Sequence, residues 1–456
     1  MRLALKDFAQ PRPIAAAVLI AGFAASLWAN WPGHLEFDSI LQLRDGRSGV
    51  YDSWHPPVMA WLLGLGDALV PGAALFVAFD TALAFGALLS LLWLSPRVPW
   101  HAVAAAAVAV LLPQIFLYQA IVWKDVLFAD AALCGFVCLA HAGAKWERQA
   151  WRLALLAGAA LFLALAALTR QNGALLLPCA ALALGAIAAR TEGRLAGVLY
   201  GTGLLAVCAV LIIAGNAALQ LRSDNNLGVV KQIKVLERYD LAGMVKRRPG
   251  LELRVLEKES PALAKLIRSD GVRLYSPAAN DTLTASAALQ KALAQTPADV
   301  LARQWRATIL AHPLDYLATR ATLFGWVFLS LHPEQCPAYT VGVDGPAAPM
   351  RALGIGPRFD ARDEALDSYA QALVGTPVFS HPAYAFVALL CLILLLRRRA
   401  PADLALAGLL AGALAFTLSF FFVSMACEYR YLYMLDLSAI AAALYLFAAT
   451  SRAPKT

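Results

Sequence analysis

The sequence carries little charge. Only 15% of its 456 residues are Asp, Glu, Lys or Arg, whereas soluble globular proteins contain about 25%. Hydrophobic residues make up 60% of the chain, and the mean hydropathy is +0.63. A soluble protein of ordinary composition is therefore excluded, and so is a disordered chain, which requires low hydrophobicity. The composition indicates a membrane protein with several spans.

Cysteine is also scarce. Seven cysteines in 456 residues are too few for a small secreted domain built on disulfides. Five of them lie in apolar segments, whereas Cys336 and Cys427 lie where both would face an oxidising compartment. A disulfide between these two is the less favoured alternative, and we expect both thiols to be free.

Long uncharged runs dominate the rest of the sequence. A bilayer core about 30 Å thick is crossed by about 20 apolar helical residues. The first run ends in bulky residues, so it is read as an uncleaved anchor and not as a signal peptide. We predict an all-α polytopic membrane protein with about 10–11 transmembrane helices. The candidate spans are 14–30, 72–94, 98–117, 126–142, 153–169, 172–189, 195–217, 381–396, 404–424 and 433–450.

Charge is concentrated in one segment, 218–380. It holds 19 of the 38 basic and 16 of the 30 acidic residues, so we predict a soluble lobe inserted into the membrane protein. The predicted organisation has three parts. Residues 1–217 form a seven-span module with an outer loop at 31–57, residues 218–380 form the lobe, and residues 381–456 form three further spans.

The distribution of basic residues predicts the orientation. Lys and Arg outnumber Asp and Glu by 14 to 4 in the two termini and in the short loops near 97, 145–152, 190–194 and 397–403. The positive-inside rule places these segments in the cytoplasm. Both termini are then cytoplasmic and the lobe is extracytoplasmic. The membrane is predicted to be the inner (plasma) membrane of a cell.

This orientation requires that the apolar stretch 314–331 does not cross the membrane alone. Because it contains Asp315 and Arg320, we predict an interfacial or re-entrant helix there.

The first outer loop combines acids with a distinctive turn. Glu36 and Asp38 follow the first span, and Tyr51-Asp52-Ser53-Trp54-His55-Pro56-Pro57 precedes a short apolar helix. A carboxylate at a membrane boundary needs a partner, because desolvating it alone costs several kcal/mol. The alternative is a solvated interfacial loop in which the aromatic residues form a belt and Pro-Pro begins a helix.

Three more segments place polar residues at the predicted outer boundary of the membrane. Lys124 and Asp125 begin the fourth span, where a snorkelling Lys and a helix-dipole Asp are the alternative. Arg is suited to phosphate because its guanidinium offers a planar fork of donors. For the segment around Arg170 the alternative is a tight turn capped by Asn-Gly, and for the segment around Arg430 it is a salt bridge or a lipid contact. These two segments are Thr169-Arg170-Gln171-Asn172-Gly173 and Cys427-Glu428-Tyr429-Arg430-Tyr431.

Together these motifs resemble the GT-C superfamily of membrane glycosyltransferases. Asp52-x-x-His55-Pro56-Pro57 is similar to a turn of protein O-mannosyltransferases, whereas aminoarabinose lipid A transferases have Lys-Pro-Pro there. Within the superfamily the chain most resembles bacterial proteins of the glycosyltransferase 39 type, best over residues 14–217. It lacks the Asp-Glu pair that is common after the first span. The acid is therefore open between Asp38 and Glu36, and Asp38 is preferred because it lies deeper in the loop.

The resemblance implies an enzyme that takes a sugar from a polyprenyl-phosphate donor at the outer leaflet. The acceptor would be a glycan, a glycolipid or a protein, and nucleic acid has no support as a partner. Asp38 would be the catalytic base, and Asp125 a second catalytic carboxylate that orients the acceptor or a metal. A single base with direct displacement predicts inversion at the anomeric carbon, whereas a second acid at nucleophile distance would permit retention. The expected substrate contacts are Glu36, His55, Lys124, Arg170, Asn172, Glu428, Arg430 and Tyr431.

No cofactor follows from the sequence. Two carboxylates and a His are able to bind a divalent cation, but their spacing matches no defined metal site. The sequence therefore leaves the presence of a divalent metal open.

Two other classes of protein remain as alternatives. A transporter or flippase for a lipid-linked substrate would use Asp80, Asp130 and Arg170 inside the bundle, but the inverted repeats and matched broken helices typical of transporters are not visible. For Asp80, a hydrogen-bonded acid facing a neighbouring helix is favoured over a proton path. A non-catalytic scaffold would instead depend on the lobe.

Overall fold

The computed structural model describes residues 11–52, 54–220, 228–329 and 332–449. Over these ranges the regular structure is helical, with isolated β-bridges as the only pairings between extended residues. The predicted all-α polytopic fold is thereby confirmed.

The chain order before the lobe is α1 Pro11–Asn30, α2 Phe37–Ser48, α3 Pro57–Leu69, α4 Ala74–Leu91, α5 His101–Leu111, α6 Pro113–Phe116, α7 Lys124–Ala144, α8 Gln149–Thr169, α9 Leu176–Glu192 and α10 Arg194–Gln220. The lobe contains α11 Gly228–Arg247, α12 Arg254–Glu259, α13 Pro261–Leu266, α14 Val272–Leu274, α15 Ala287–Gln295, α16 Ala298–Ala311, α17 Pro313–Leu329, α18 Ala347–Leu353 and α19 Ala361–Gln371. Three helices end the described chain: α20 His381–Arg398, α21 Pro401–Val423 and α22 Tyr433–Ala448.

Nine helices within the described ranges are long and apolar enough to cross a membrane. They are α1, α4, α7 to α10 and α20 to α22, and they coincide with nine of the ten predicted spans. The chain is therefore a multi-pass membrane protein.

The remaining predicted span, 98–117, is bent. Helix α5 and the segment Pro113–Ala120 meet at 70°. Pro113 has no N–H to donate and its ring clashes with the preceding turn. Leu112, the residue before it, is accordingly extended at φ −77° and ψ 136°. The chain turns here into an irregular segment that runs to the start of α7.

Helix α7 is the central helix of the bundle. Its span is 89% buried, compared with 22% for α10, and it packs against α4, α8, α21 and α22. Lys124 and Asp125 form its first turn. A carboxylate is favourable there because the helix dipole is positive at the N-terminus. The most buried helix thus presents a Lys-Asp pair at the end of the bundle that carries the lobe.

The segment after α1, predicted as the outer loop 31–57, contains a helix that was not predicted, α2, and this helix packs closely on α3. A Cβ on Gly46 would lie 2.2 Å from the Ala60 carbonyl oxygen, and one on Gly64 would lie 2.4 Å from the Gly46 carbonyl oxygen. Only glycine permits this approach. Arg47 of α2 also donates two hydrogen bonds to the Asp67 carboxylate of α3, at 2.7 and 2.6 Å. The loop is therefore a packed unit.

A buried arginine of the lobe forms an ion pair inside the lobe and a hydrogen bond to the bundle. Arg320 of α17 donates to Asp240 of α11 at 2.6 Å, and neither side chain is exposed. Trp305 donates to the same carboxylate at 2.9 Å, while Arg320 also donates to the Ser424 carbonyl oxygen at the end of α21 at 2.9 Å. Burial raises the pKa of Asp240, and Arg320 opposes that rise. The arginine therefore connects two lobe helices with the bundle.

Residues 314–329 of the predicted interfacial or re-entrant segment belong to one continuous helix, α17, which is not among the nine long apolar helices. Residues 330–331 lie outside the described residues, as do 221–227 at the predicted start of the lobe. The placement of this helix relative to a membrane and the three-part organisation stay predictions.

The structure corrects the expectation that Cys336 and Cys427 are free. They form a disulfide, with a Cα–Cα distance of 5.3 Å. The lobe also holds the segment that carries Cys427 through backbone pairing, since Ala279 pairs with Ala426 in an antiparallel bridge. In this bridge the Cys427 N–H donates to the Ala278 carbonyl at 2.9 Å. The segment before α22 is thus covalently attached to the lobe.

We predict that the denatured wild-type protein exposes five reactive thiols before reduction and all seven cysteines after it. Thiol titration in denaturant measures both numbers. The disulfide closes a sequence separation of 91 residues, so Cys336→Ser should lower the free energy of unfolding by about 4–5 kcal/mol. Seven thiols reactive without reduction would contradict the pairing.

We predict that Asp240→Ala lowers the free energy of unfolding by about 3–5 kcal/mol, because it leaves the Arg320 guanidinium buried without a counter-charge. Unfolding in mixed detergent micelles measures the loss. The matched control is the double variant Asp240→Leu with Arg320→Met, which removes both charges and should cost less. A single variant as stable as the double one would contradict the role of the pair.

Candidate active site

Three segments meet at the lobe end of the bundle. The loop after α1 pairs with the segment before α7, because the His34 N–H donates to the Ala120 carbonyl at 2.9 Å and the Val122 N–H to the His34 carbonyl at 3.0 Å. On its other side, Leu35 pairs with Val343 of the lobe. The third segment, 424–432, is held by the disulfide. These ties bring the predicted acids and arginines together.

His34 fixes the position of the first segment, the loop after α1. The Gly342 N–H donates to its Nδ1 at 2.9 Å, so its proton is on Nε2, which lies 2.9 Å from the Asn30 carboxamide oxygen. Burial, assisted by the charge of Arg358, lowers the pKa of His34 to about 4. It is therefore a neutral structural histidine at physiological pH, and it joins the end of α1 to the lobe.

Arg430 is the centre of the site. Its guanidinium donates to the carboxylates of Glu36 and Glu428 and, at 2.8 Å, to Asp38 Oδ2. Its Nε also lies 3.9 Å from Asp125 Oδ2. The Arg430 side chain is only 6% exposed. One buried cation therefore holds acids from the loop after α1, the start of α7 and the segment before α22.

Trp123 completes the surroundings of this arginine. Its ring centroid lies 5.0 Å from the Arg430 guanidinium carbon, which is within cation–π distance. Its Nε1–H donates to Glu36 Oε1 at 2.7 Å. The sequence placed Trp123 beside Lys124, but an aromatic residue at a boundary is ordinary, so its role was not foreseen.

His55 links Lys124 to Asp38. Lys124 Nζ donates a hydrogen bond to His55 Nδ1 at 2.9 Å. The imidazole proton is then on Nε2, which faces Asp38 Oδ1 at 3.7 Å. Burial and the nearby Lys124 lower the pKa of His55. A neutral His55 thus presents an N–H toward the carboxylate of Asp38.

Arg170 and Asp125 form a second, deeper ion pair. The Arg170 guanidinium contacts Asp125 Oδ1, and the Asp125 side chain is only 1% exposed. Aromatic rings surround the guanidinium, at 5.3 Å for Phe420, 5.5 Å for Phe416 and 5.7 Å for Tyr431. Asp125 therefore lies behind Arg170 and fixes its position.

Asn172 is not brought into the group. Its carboxamide donates instead to Ser419 Oγ of α21 at 3.0 Å. Tyr431 is brought in, because its ring stacks on Phe420 at 5.8 Å and also lies 5.8 Å from Arg430. The other predicted site residues all lie in the two linked ion-pair groups.

Glu36 and Asp38 differ in their electrostatics, although they are two residues apart. Burial raises the pKa of Glu36, and the negative charges of Glu428 and Asp38 add to the rise against the effect of Arg430. Burial also favours a higher pKa for Asp38, but the facing imidazole of His55 and the charge of Arg430 outweigh this and hold the pKa below its ordinary value. Asp38 is thus the stably ionised acid.

A divalent metal stays a prediction. The carboxylates that would hold it are Glu36, Asp38 and Glu428, and all three converge on the Arg430 guanidinium. Over the described part of the chain, no group of three or more His, Cys, Asp and Glu residues has a geometry suited to a metal ion.

The acids on which a transporter would depend lie apart from this site. Asp80 of α4 and Asp130 of α7 are both buried, and they face one another across the two helices. Gln119 lies 3.4 Å from Asp130 Oδ1. Asp80 thus faces a neighbouring helix, while the hydrogen bond expected for it from the sequence stays a prediction.

Comparisons with known proteins give matches in structure alone. No protein-family model and no curated protein sequence match the chain. ArnT from Cupriavidus metallidurans in the apo state matches at 13% identity and a TM-score of 0.38, over 94% of this chain and 76% of ArnT. ArnT bound to undecaprenyl phosphate matches at 14% and 0.39, over 94% and 77%.

The archaeal oligosaccharyltransferase AglB from Archaeoglobus fulgidus, in complex with an inhibitory peptide and a dolichol-phosphate, matches at 13% identity and a TM-score of 0.42. The match covers 95% of this chain but only 50% of AglB. The chain thus spans about three quarters of ArnT and half of AglB.

The opposite pKa directions of Glu36 and Asp38 predict opposite effects of neutralising them. When folding raises the pKa of a carboxyl, the folded state loses stability as the pH rises above the ordinary pKa of that carboxyl. Glu36→Gln should therefore gain stability relative to wild type between pH 4.5 and pH 7.5. Asp38, with a lowered pKa, stabilises at both pH values, so Asp38→Asn should lower the melting temperature at both.

Thermal unfolding in detergent at the two pH values measures these differences. Glu364→Gln, an exposed acid on α19, is the control and should match wild type at both. If Glu36→Gln lost stability relative to wild type as the pH rose, the electrostatic account of the site would be wrong.

Proposed function

We propose that the chain is a membrane glycosyltransferase that moves a sugar from a polyprenyl-phosphate donor to an acceptor on the outer side of the membrane. The acceptor is a cell-envelope glycan, a glycolipid or a protein. The observation that carries the proposal is the contrast in exposure between the two candidate catalytic acids. The side chain of Asp38 is 27% exposed, whereas that of Asp125 is 1% exposed.

Exposure favours Asp38 as the residue that meets substrate. A general base has to reach the proton that it removes, and Asp38 is both accessible and ionised. Its position between the N–H of His55 and the guanidinium of Arg430 orients both carboxylate oxygens. Asp125 is assigned a positioning role, because Arg170 covers it.

The reaction requires one bond to form and one to break. The acceptor O–H or N–H group attacks the anomeric carbon while its proton passes to Asp38. The bond between that carbon and the phosphate oxygen breaks, and the electron pair leaves with the polyprenyl phosphate. Cations placed where this charge develops lower the barrier. Arg170, Lys124 and Arg430 are the cations that the site offers to the phosphate.

The carboxylate groups argue against a simple anion-binding protein. Phosphate binding alone would be strengthened by a site with cations only. Here Glu36, Asp38, Glu428 and Asp125 accompany two arginines and a lysine. A mixed site of this kind is able to remove a proton at one position and to stabilise negative charge at another, as glycosyl transfer requires.

A transporter or flippase is the second candidate. It is favoured by one observation, the buried Asp80 and Asp130 in the bundle interior. The transferase is preferred because the partly exposed, ionised acid lies at the lobe end of the bundle.

The function is tested with membrane vesicles that contain the full chain and a panel of radiolabelled polyprenyl-phosphate monosaccharides. We predict that wild type transfers label from its donor and that Asp38→Asn reduces the rate about 100- to 10,000-fold at unchanged expression. The Asp125→Asn variant should lose activity through misplacement of Arg170. Glu364→Gln should match wild type.

Label that changes leaflet without leaving its carrier, equally in wild type and Asp38→Asn, would reject the enzyme and favour the flippase. Activity that survives Asp38→Asn but not Glu36→Gln would move the base to Glu36.

A further inference from the structure

A histidine–aspartate pair lies behind Arg430 and has no part in the chemistry proposed above. His381 begins α20 and Asp436 lies in the first turn of α22, and both are fully buried. His381 Nδ1 lies 2.9 Å from Asp436 Oδ1, and its Nε2 lies 3.1 Å from the carbonyl oxygen of Tyr429. The imidazole also stacks on the Tyr429 ring at 3.9 Å.

The partners locate the protons of this pair. A carbonyl oxygen only accepts hydrogen bonds, so His381 Nε2 carries a proton and donates it to Tyr429. The contact between Nδ1 and the Asp436 carboxyl then contains one further proton, on the imidazole or on the carboxyl. Both arrangements preserve the same geometry, in which Asp436 orients the ring and the ring holds the carbonyl.

The Tyr429 carbonyl belongs to the peptide unit that contains the Arg430 N–H. A hydrogen bond to this oxygen therefore sets the plane from which the Arg430 side chain projects. The disulfide at Cys427 and the bridge at Ala426 hold the same segment from the lobe side. The histidine holds it from inside the bundle.

We propose that His381 and Asp436 are positioning residues that aim the Arg430 guanidinium at Glu36 and Asp38. The proposal rests on the proposed function for its activity test, but its structural test is independent of that function.

Conservative and non-conservative variants separate this role from simple core packing. His381→Gln keeps an N–H donor within reach of the Tyr429 carbonyl, and His381→Leu removes it. Asp436→Asn is able to donate to His381 Nδ1 and so keeps Nε2–H on Tyr429, whereas Asp436→Leu does not. The Gln and Asn variants should therefore behave like wild type, and the two Leu variants should be defective.

The structural test is hydrogen–deuterium exchange of the full-length protein in detergent, followed in peptides that cover residues 428–433. His381→Leu should speed exchange there about fivefold to tenfold, as expected for the loss of one buried hydrogen bond. His381→Gln and Asp436→Asn should leave it unchanged. Exchange in His381→Leu equal to wild type would overturn the proposal, as would an increase spread evenly over all spans.

The activity test is a double-variant comparison with Arg430→Gln. His381→Leu should reduce kcat on the order of 10- to 100-fold with a smaller change in KM, because a misplaced arginine loses its alignment. If His381 acts through Arg430, the double variant should lose no more than Arg430→Gln alone. Losses that multiply would overturn the positioning role. If wild type transfers no sugar, the proposed function fails, and the exchange result still decides the positioning role.

Discussion

The arrangement of the site depends on one buried guanidinium. Arg430 neutralises carboxylates from both the first and the last outer loop, and its contact with Glu36 spans 394 residues of sequence. Without that cation, several acids would lie close together in a partly desolvated place, where like charges raise one another's pKa and repel. A shared arginine is therefore what allows Glu36, Asp38 and Glu428 to converge while Asp38 stays ionised.

The lobe contributes to this convergence. It pairs with the first loop through Leu35 and Val343, and with the last loop through the Cys336–Cys427 disulfide. Arg320 adds a third attachment at the end of α21. Each attachment restricts backbone that would otherwise be free between two spans, and loop ordering costs entropy. The lobe thus stabilises the geometry of the acids.

The sequence predicted the spans well because apolar length is a local property that burial in lipid requires. The bend at Pro113 shows the limit, since the run 98–117 is apolar throughout and only the local proline chemistry divides it. Site residues were recognisable as charges at span ends, but their pairing was not, because it depends on contacts between distant loops. Asn172 illustrates this, since it turns to Ser419 while its neighbour Arg170 enters the site. The Cys336–Cys427 pairing likewise depends on how the lobe folds.

Glu36 and Asp38 show how position decides chemical role. Both belong to one short loop and both contact Arg430, but only Asp38 also faces His55. Glu36 instead shares its space with Glu428 and is held by the indole of Trp123. Burial without enough positive charge leaves Glu36 poorly stabilised as an anion, whereas Asp38 has positive or donor groups on both oxygens. Arg430 therefore has two different effects. It relieves the repulsion that Glu36 brings, and it keeps Asp38 ionised and oriented, as the proposed role of a base requires.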